Sequence, residues 1–247
     1  MPAGKQVLDR IKSVKNTGKI TRAMELISTV KMKKAADIAL GARPFALEAS
    51  SIFSRVVDEI AMSPFVVSEK NTEGKAVINK ILIVLITSNR GLCGAYNINV
   101  FREAMHAVAG READFVSIGK KAREFIVRTG NSLIADYSDA FRDTPQANEI
   151  KSISDSLSFL YLSGEYSEVR VIYSYYISPI AQKPVTRPFL PVSKDTLSAF
   201  LEELTGSIIS TVTYSGDYLI EPSRQHVADR IVPLILDLIF YEMILEA

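Results

Sequence analysis

Apolar side chains recur at intervals of three and four residues through the first part of the chain. The clearest series consists of Ile38, Ala42, Phe45, Ala49, Ile52 and Val56. This heptad spacing is typical of a helix that packs along a second helix. We therefore predict one long coiled-coil helix over residues 1–60, which Pro44 should kink or locally unwind. Its predicted core residues are Ile38, Phe45, Ile52 and Val56.

The middle of the chain alternates strand signals with helix signals. Residues 81–86 form a continuous apolar run, Ile-Leu-Ile-Val-Leu-Ile, which indicates a strand buried on both faces. The predicted elements are strands at 81–86, 115–118 and 169–177 and helices at 95–109, 120–128 and 149–162. This βαβαβ order predicts a mostly parallel, Rossmann-like sheet that is covered on both sides. We assign the α/β domain to residues 77–221, after a polar linker at 61–76.

Two weaker signals lie near the end of that domain. Pro184, Pro188 and Pro191 favour an edge segment, because proline cannot donate a hydrogen bond to a neighbouring strand. The run Tyr218-Leu219-Ile220 indicates a short last strand.

The last part of the chain is a predicted helix over residues 222–247. Almost all of its residues between 231 and 245 are apolar, and a helix that is apolar all round is buried on several sides. We predict that it pairs antiparallel with the first helix and that Ile235 and Leu238 lie in the coiled-coil core. The predicted fold class is therefore α/β, with the Rossmann-like domain inserted between two chain ends that form a long coiled coil.

Charge is unevenly distributed along the chain. Residues 1–34 contain nine basic and two acidic side chains, a net charge of +7, whereas the whole chain has +1, which leaves −6 for the remainder. A nucleic-acid arm would explain such charge, but residues 1–44 contain no aromatic side chain that could stack on bases. We therefore favour an acidic protein surface as the partner and expect no nucleic acid.

The sequence carries no signal for export or for membrane insertion. Residues 1–34 are charged throughout, so we see neither a secretory segment nor a transit peptide. The apolar stretch at 231–245 is shorter than the ~20 residues that a membrane-spanning helix needs. The single cysteine, Cys93, forbids a disulfide within the chain and fits a reducing compartment. We expect no direct insertion into a membrane.

The loop after the first predicted strand is the best candidate for a chemical site. Its Gly91 and Gly94 match neither the dinucleotide-binding nor the P-loop pattern, so we predict a tight turn rather than a nucleotide site. Cys93 could be a nucleophile at a helix N-terminus, but no pattern links it to His106 or His226. A buried structural thiol is the favoured interpretation. We predict no catalytic residue, no cofactor and no metal.

Two stretches of the chain resemble the signatures of a known family. Residues 11–24, IKSVKNTGKITRAM, resemble the N-terminal signature of ATP synthase gamma subunits. Residues 87–97, TSNRGLCGAYN, resemble the second signature of that family, which follows the first strand of the α/β domain. Residues 42–45 and 220–223 also resemble the sequences that members of this family have at these places. The resemblance covers nearly the whole chain in the right order.

The resemblance implies a rotor rather than an enzyme. In this family the coiled coil is the central shaft inside a hexamer of alternating alpha and beta subunits. The α/β domain sits on the membrane ring of c subunits, beside the epsilon subunit. The beta subunits carry the catalytic sites, and rotation of the shaft sets those sites to different conformations in turn. The resemblance further implies ion-driven ATP synthesis and a peripheral position at the cytoplasmic face of a bacterial inner membrane.

Contacts between rotor and stator are implied for the basic helix and for the second signature. The implied contact residues are Lys19, Arg22, Met24, Lys31, Lys33, Lys34, Arg90 and Cys93. Lys19 and Arg22 are implied to face acidic levers of the beta subunits, although a solvated helix face stays open as the alternative for each basic residue.

Two further expectations concern the end of the chain and the competing function. Members of the family continue past the equivalent of Ala247 with further helical turns, so we expect the last helix to be truncated. The competing function is a stand-alone α/β ligand-binding protein with a coiled-coil association arm. Micromolar ATP binding by the isolated chain would favour that alternative.

Overall fold

A computed structural model describes residues 2–67, 78–141, 144–205 and 219–247, with side chains from residue 4 onward. The chain divides into two compact units, Met1–Gly41 and Ala42–Ala247. Helix α1 spans Pro2–Val56 and corresponds closely to the helix predicted over residues 1–60. The first unit is formed by this helix, whose side chains there are almost all exposed. Pro44 lies inside α1 and does not unwind it.

A five-stranded sheet lies at the centre of the second unit. Its strands are β1 (Lys80–Ile86), β2 (Glu112–Ile118), β3 (Ser132–Asp136), β4 (Glu168–Ser178) and β5 (Ala181–Leu190). Their order is β3-β2-β1-β4-β5, with β1 to β4 parallel and β5 antiparallel to β4. The predicted mostly parallel sheet is thereby confirmed. Pro184 and Pro188 lie on β5, at an edge of the sheet as expected.

Helices cover both faces of the sheet. They are α2 (Tyr96–Val108), α3 (Lys120–Arg128), α4 (Ala147–Leu162), α5 (Lys194–Thr205) and α6 (Arg224–Glu246). Alternate residues of β1 from Ile81 to Leu85 pack in one core with α2 and α3. The other residues, from Leu82 to Ile86, pack in a second core with α4, α5, α6 and the end of α1. Because both faces of β1 are buried, the strand is apolar at every position after Lys80.

The part of α1 that belongs to the second unit runs antiparallel to α6. At one end, Nη1 of Arg224 donates a hydrogen bond to the carbonyl oxygen of Arg55 over 3.1 Å. At the other end, burial raises the pKa of Glu242, and the nearby positive charge of Arg43 opposes that shift. The start of α6 therefore lies against the end of α1, and the end of α6 lies towards Arg43.

The buried face of α1 coincides with the predicted seam at Ala49 and Val56 and is displaced by one residue elsewhere, from Phe45 to Ala46 and from Ile52 to Phe53. The buried apolar residues at this end are Ala46, Ala49, Phe53, Val56 and, in a short 3-10 helix at Glu59–Met62, Ile60. This series also steps by three and four residues, so the spacing alone did not decide between the two faces. These residues share the second core with buried side chains of α6.

Among the predicted core residues, the assignment of Phe45 was wrong, since its side chain is 47% exposed. The heptad spacing runs through Phe45, whereas the structure buries the small Ala46 beside it. Ile38 and Ile52 are half-buried. Three other predicted positions are buried in the second core, namely Val56, Ile235 and Leu238.

Other differences concern short elements. Neither β3 nor α5 was predicted from the sequence, and the predicted last strand was wrong, because Leu219 and Ile220 are not in a strand. Tyr218 lies outside the described residues. β3 was missed because its five residues are alternately half-buried and exposed, so they form no apolar run. Of the predicted linker at 61–76, residues 61–67 are described, and Val66 there forms a bridge with Val192; the remainder lies outside the described residues.

Candidate partner-contact surfaces

The first unit presents a basic helix surface. All the predicted contact residues in this unit are exposed except Met24, which is half-buried; the exposed ones are Lys19, Arg22, Lys31, Lys33 and Lys34. Arg22 forms an ion pair with Glu25 at 3.4 Å, and both side chains are more than 60% exposed, so the pair adds little stability.

The same helix also exposes apolar side chains. Val7, Ile11 and Val14 are between 46% and 64% exposed. They recur at four and three residues, so they lie along one side of the helix. A charged surface with an apolar stripe beside it is the chemistry of a helix that contacts other proteins.

The loop between β1 and α2 is held in shape by its own polar side chains. The side-chain amide of Asn97 donates hydrogen bonds to Oγ of Ser88 at 2.8 Å and to Sγ of Cys93 at 3.2 Å. Asn97 is buried, whereas Cys93 is exposed, so the predicted buried thiol was wrong. The backbone turns tightly at Leu92 and Gly94, which both have positive φ angles, and Asn97 takes the buried position that we had given to the cysteine.

Two predicted contact residues, Arg90 and Cys93, therefore share one exposed loop. Leu92 between them is 84% exposed and has a φ of 65°, a backbone conformation that a branched side chain rarely adopts. The loop thus holds an apolar side chain out in solvent next to a guanidinium group. The loop lies where the sequence predicts it, but its exposed Leu92 was not among the predicted contact residues.

The loops after β1 and β2 are tied together. Oγ1 of Thr87 accepts a hydrogen bond from the backbone N–H of Ala122 at 2.7 Å, and Oδ1 of Asn89 accepts one from Lys120 at 2.9 Å. These are N–H groups of the first turn of α3, so that helix N-terminus is capped by the neighbouring loop. Thr87 and Asn89 are both residue types that cap helices, and they follow a strand directly. Their capping of α3 was not predicted from the sequence.

The place where a nucleotide would be expected is filled by the chain itself. In a parallel sheet, ligands bind beyond the carboxyl ends of the strands where the strand order reverses, which here is at β1 and β4. At this point the hydroxyl of Tyr173 donates to Glu246 at 2.7 Å, and that of Tyr96 donates to the carbonyl oxygen of Ala247. The end of α6 therefore occupies this edge.

A buried charged group lies at the opposite edge of the sheet. Nζ of Lys80 and the hydroxyl of Tyr166 both lie 2.7 Å from Oδ2 of Asp114, whose side chain is 8% exposed. Burial alone would raise the pKa of Asp114, but the hydrogen bonds from Lys80, Tyr166 and Ser132 outweigh it and lower the pKa. The cluster is saturated by its own partners and stabilises the start of β1 and β2.

Within the described ranges, no group of His, Cys, Asp and Glu side chains is arranged to hold a metal ion. The described helices likewise include none that combines the length and the apolar character needed to cross a bilayer.

Comparison with known proteins identifies the family. The ATP synthase family profile matches residues 3–247. The ATP synthase gamma chain of Cytophaga hutchinsonii is 31% identical over 255 aligned residues, which cover 100% of this chain and 82% of the relative. That of Chloroflexus aurantiacus is 30% identical over 256 aligned residues, 100% of this chain and 81% of the relative.

A solved structure has the same fold. A chain in the central stalk and c-ring of the Tetrahymena thermophila mitochondrial ATP synthase superposes with a TM-score of 0.60 at 20% sequence identity, covering 92% of each chain. This likeness concerns the fold, whereas the profile match over residues 3–247 and the two gamma chains with at least 30% identity establish the family. The chain belongs to the ATP synthase gamma chain family.

Proposed function

We propose that this protein is the central rotor shaft of a rotary ATP synthase, which couples ion-driven rotation of a membrane ring to ATP synthesis. The observation that carries the proposal is the match to gamma chains over the whole length of the chain. The exposed basic surface and apolar stripe of the first unit support it, because a helix with such side chains needs protein partners to cover it.

The partners in this proposal follow from the family. Alpha and beta subunits surround the shaft as a hexamer, the epsilon subunit lies beside the α/β domain, and the c subunits form the ring. The chain carries no catalytic site of its own, since the beta subunits hydrolyse and synthesise ATP. The protein is peripheral, at the cytoplasmic face of the membrane.

The shaft itself is proposed to be an antiparallel coiled coil of α1 and α6. The pairing of Arg224 with Arg55 in the second unit supports this direction. Buried Val56, Ile235 and Leu238 supply core side chains there, with Ile52 packed against them, and Ile38 is proposed to continue the seam. A rigid, asymmetric element of this kind can bias each surrounding subunit between discrete conformations as it turns.

Rotor–stator contact is proposed for the basic surface and for the loop after β1. Lys19, Arg22 and Met24 would meet the acidic levers of the beta subunits, with Lys31, Lys33 and Lys34 further along the helix. Arg90 and Cys93 would form a second contact, and the 84% exposure of Leu92 between them supports a protein surface there.

Reconstitution tests the proposal. The purified chain is mixed with the alpha and beta subunits of the same source and added to membranes stripped of their catalytic heads. We expect a stable assembly and ATP-driven ion pumping, both lost when the chain is left out. Failure to assemble, together with micromolar ATP binding by the isolated chain, would favour a ligand-binding protein instead.

A further inference from the structure

The last turns of α6 are fastened to the sheet by buried tyrosines. Tyr173 of β4 is fully buried, and its hydroxyl donates a hydrogen bond to Oε2 of Glu246 at 2.7 Å. Tyr96, at the start of α2, donates to the carbonyl oxygen of Ala247. Both bonds join the end of α6 to elements of the α/β domain rather than to α1.

The charges around this contact are unbalanced. Arg187 of β5 is the nearest positive group, and it already binds Glu203 of α5 with two hydrogen bonds of 3.0 and 3.2 Å. Tyr175 also donates to Glu203 at 3.0 Å. The arginine that attracts Glu246 is therefore already held by another carboxylate.

Glu242 makes the imbalance larger. Its Oε2 is buried and has no hydrogen-bond partner in the part of the chain that the structure describes. From α1, Arg43 offers it only a longer-range attraction. A negative charge on Glu246 is therefore repelled by Glu242 and Glu203, with Arg187 as the main opposing charge.

These surroundings favour the neutral form of Glu246. Burial raises its pKa to about 7, and repulsion from Glu242 and Glu203 acts in the same direction. The hydrogen bond from Tyr173 and the charge of Arg187 act in the opposite direction without cancelling the shift.

We propose that Tyr173 and Glu246 are positioning residues that latch the end of α6 to the sheet, and that acidification tightens this latch. The inference rests on the proposed function for its meaning, because a latched α6 transmits torque from the α/β domain to the shaft. A released α6 twists against the sheet and loses part of the rotation.

The sign of the pH dependence follows from the two states of the latch. In the closed state the pKa of Glu246 is about 7. In the open state, where the side chain is in water, its pKa is the ordinary 4.5. Between these two values the closed state holds more protons than the open state, so the ratio of closed to open falls about tenfold per pH unit. Above about pH 7 the ratio stays constant at its lowest value.

Hydrogen exchange of the full chain measures the latch directly. Amide protection of residues 240–247, corrected for the pH dependence of intrinsic exchange, is compared at about pH 5.5 and about pH 7.5. We expect roughly 20-fold lower protection at the higher pH. In Glu246→Gln the side chain stays neutral, so protection should be high and equal at both values. In Tyr173→Phe protection should fall at both.

Matched variants separate the latch from a general loss of stability. Tyr176→Phe changes an exposed tyrosine of the same strand, and Glu165→Gln neutralises an exposed carboxylate away from α6. Both should keep the wild-type pH dependence. The proposal is overturned if Glu246→Gln and the wild type share one pH dependence, or if neither responds to pH.

The hydrogen-exchange test of the latch and the reconstitution test of the proposed function can fail independently of each other. A chain that assembles and supports pumping but shows no pH-dependent protection rejects the latch alone. A chain whose α6 loosens with rising pH but that never assembles rejects the rotor function alone.

Discussion

The carbonyl oxygen of Thr87 lies 2.1 Å from the position that a Cβ atom on Gly119 would occupy. Gly119 also has a φ of +99°, which side chains rarely adopt, and it immediately precedes α3. Since Thr87 belongs to the loop after β1, this close approach joins the ends of β1 and β2. A hydrogen bond from the backbone N–H of Thr87 to the carbonyl oxygen of Ile118 at 2.9 Å completes the junction.

Replacing Gly119 with alanine should therefore be severely destabilising. We expect a loss of about 3 kcal/mol or more in the free energy of unfolding, because backbone strain and a clash with backbone atoms add together. Urea denaturation measures the change. Gly110→Ala is the matched control, since Gly110 has a φ of +79° but open space around it, and should cost only about 1–2 kcal/mol. Equal losses would show that Thr87 moves aside freely.

Two phenylalanines on α1 should behave oppositely. Phe53 is 1% exposed and Phe45 is 47% exposed. Phe53→Ala should lower the free energy of unfolding by about 3–5 kcal/mol, because it leaves a cavity in the second core. Phe45→Ala should cost less than about 1 kcal/mol in the isolated chain. If thermal or urea unfolding showed a larger loss of stability for Phe45→Ala than for Phe53→Ala, the core position predicted for Phe45 from the heptad spacing would be correct after all.

The buried Asp114 makes stability depend on acid. Because its folded pKa lies below the ordinary 3.8, its charged form stabilises the fold above that value, and this contribution is lost as pH falls through the folded pKa. Tyr166→Phe should cost about 1.5–3 kcal/mol at neutral pH, where it removes a hydrogen bond to a charged group.

The cost of Tyr166→Phe should shrink once Asp114 is protonated in both proteins. Urea unfolding at neutral pH and near pH 2 measures this difference, with Tyr176→Phe as the control for an exposed hydroxyl. A cost that is the same at both pH values would show that the phenol contributes by packing alone.

The basic surface of the first unit should matter for coupling rather than for folding. Lys19→Glu with Arg22→Glu places like charges against the proposed acidic levers, so fewer ions should be pumped per ATP hydrolysed. The exchange Lys19→Arg with Arg22→Lys keeps both charges and is the control. Both side chains are exposed, so neither double variant should change the unfolding of the isolated chain by more than about 1 kcal/mol. Normal pumping by an assembled acidic variant would contradict the contact.

Long, strongly patterned elements were predictable from the sequence. The apolar run of β1 and the charged, periodic α1 left few alternatives, and α3 was predicted with its observed bounds of 120–128. The mixed character of the sheet was less accessible, because a proline-rich segment such as β5 indicates an edge but not its direction. β3 was invisible for a related reason, since an edge strand that is only half-buried needs no apolar run.

Side-chain environment was harder to predict than the position of elements. Cys93 was predicted to be buried but is exposed. Its loop turns at Leu92 and Gly94, and Asn97 is the buried residue instead. The acidic cluster at the end of α6 joins residues from β4, β5, α5 and α6, which are far apart in the chain. Spacing within one element cannot reveal a contact that depends on how four elements pack.

The strand order also constrains how the protein matures during synthesis. β1 pairs with β4, and Ile81 lies opposite Glu168, so the sheet stays divided until that later strand leaves the ribosome. Phe53 and its neighbours on α1 wait longer still, because they share a core with α6. The apolar side chains of α1 are thus exposed to solvent while most of the polypeptide is being synthesised. Until α6 has been made, these apolar side chains stay exposed, which favours aggregation of the incomplete chain.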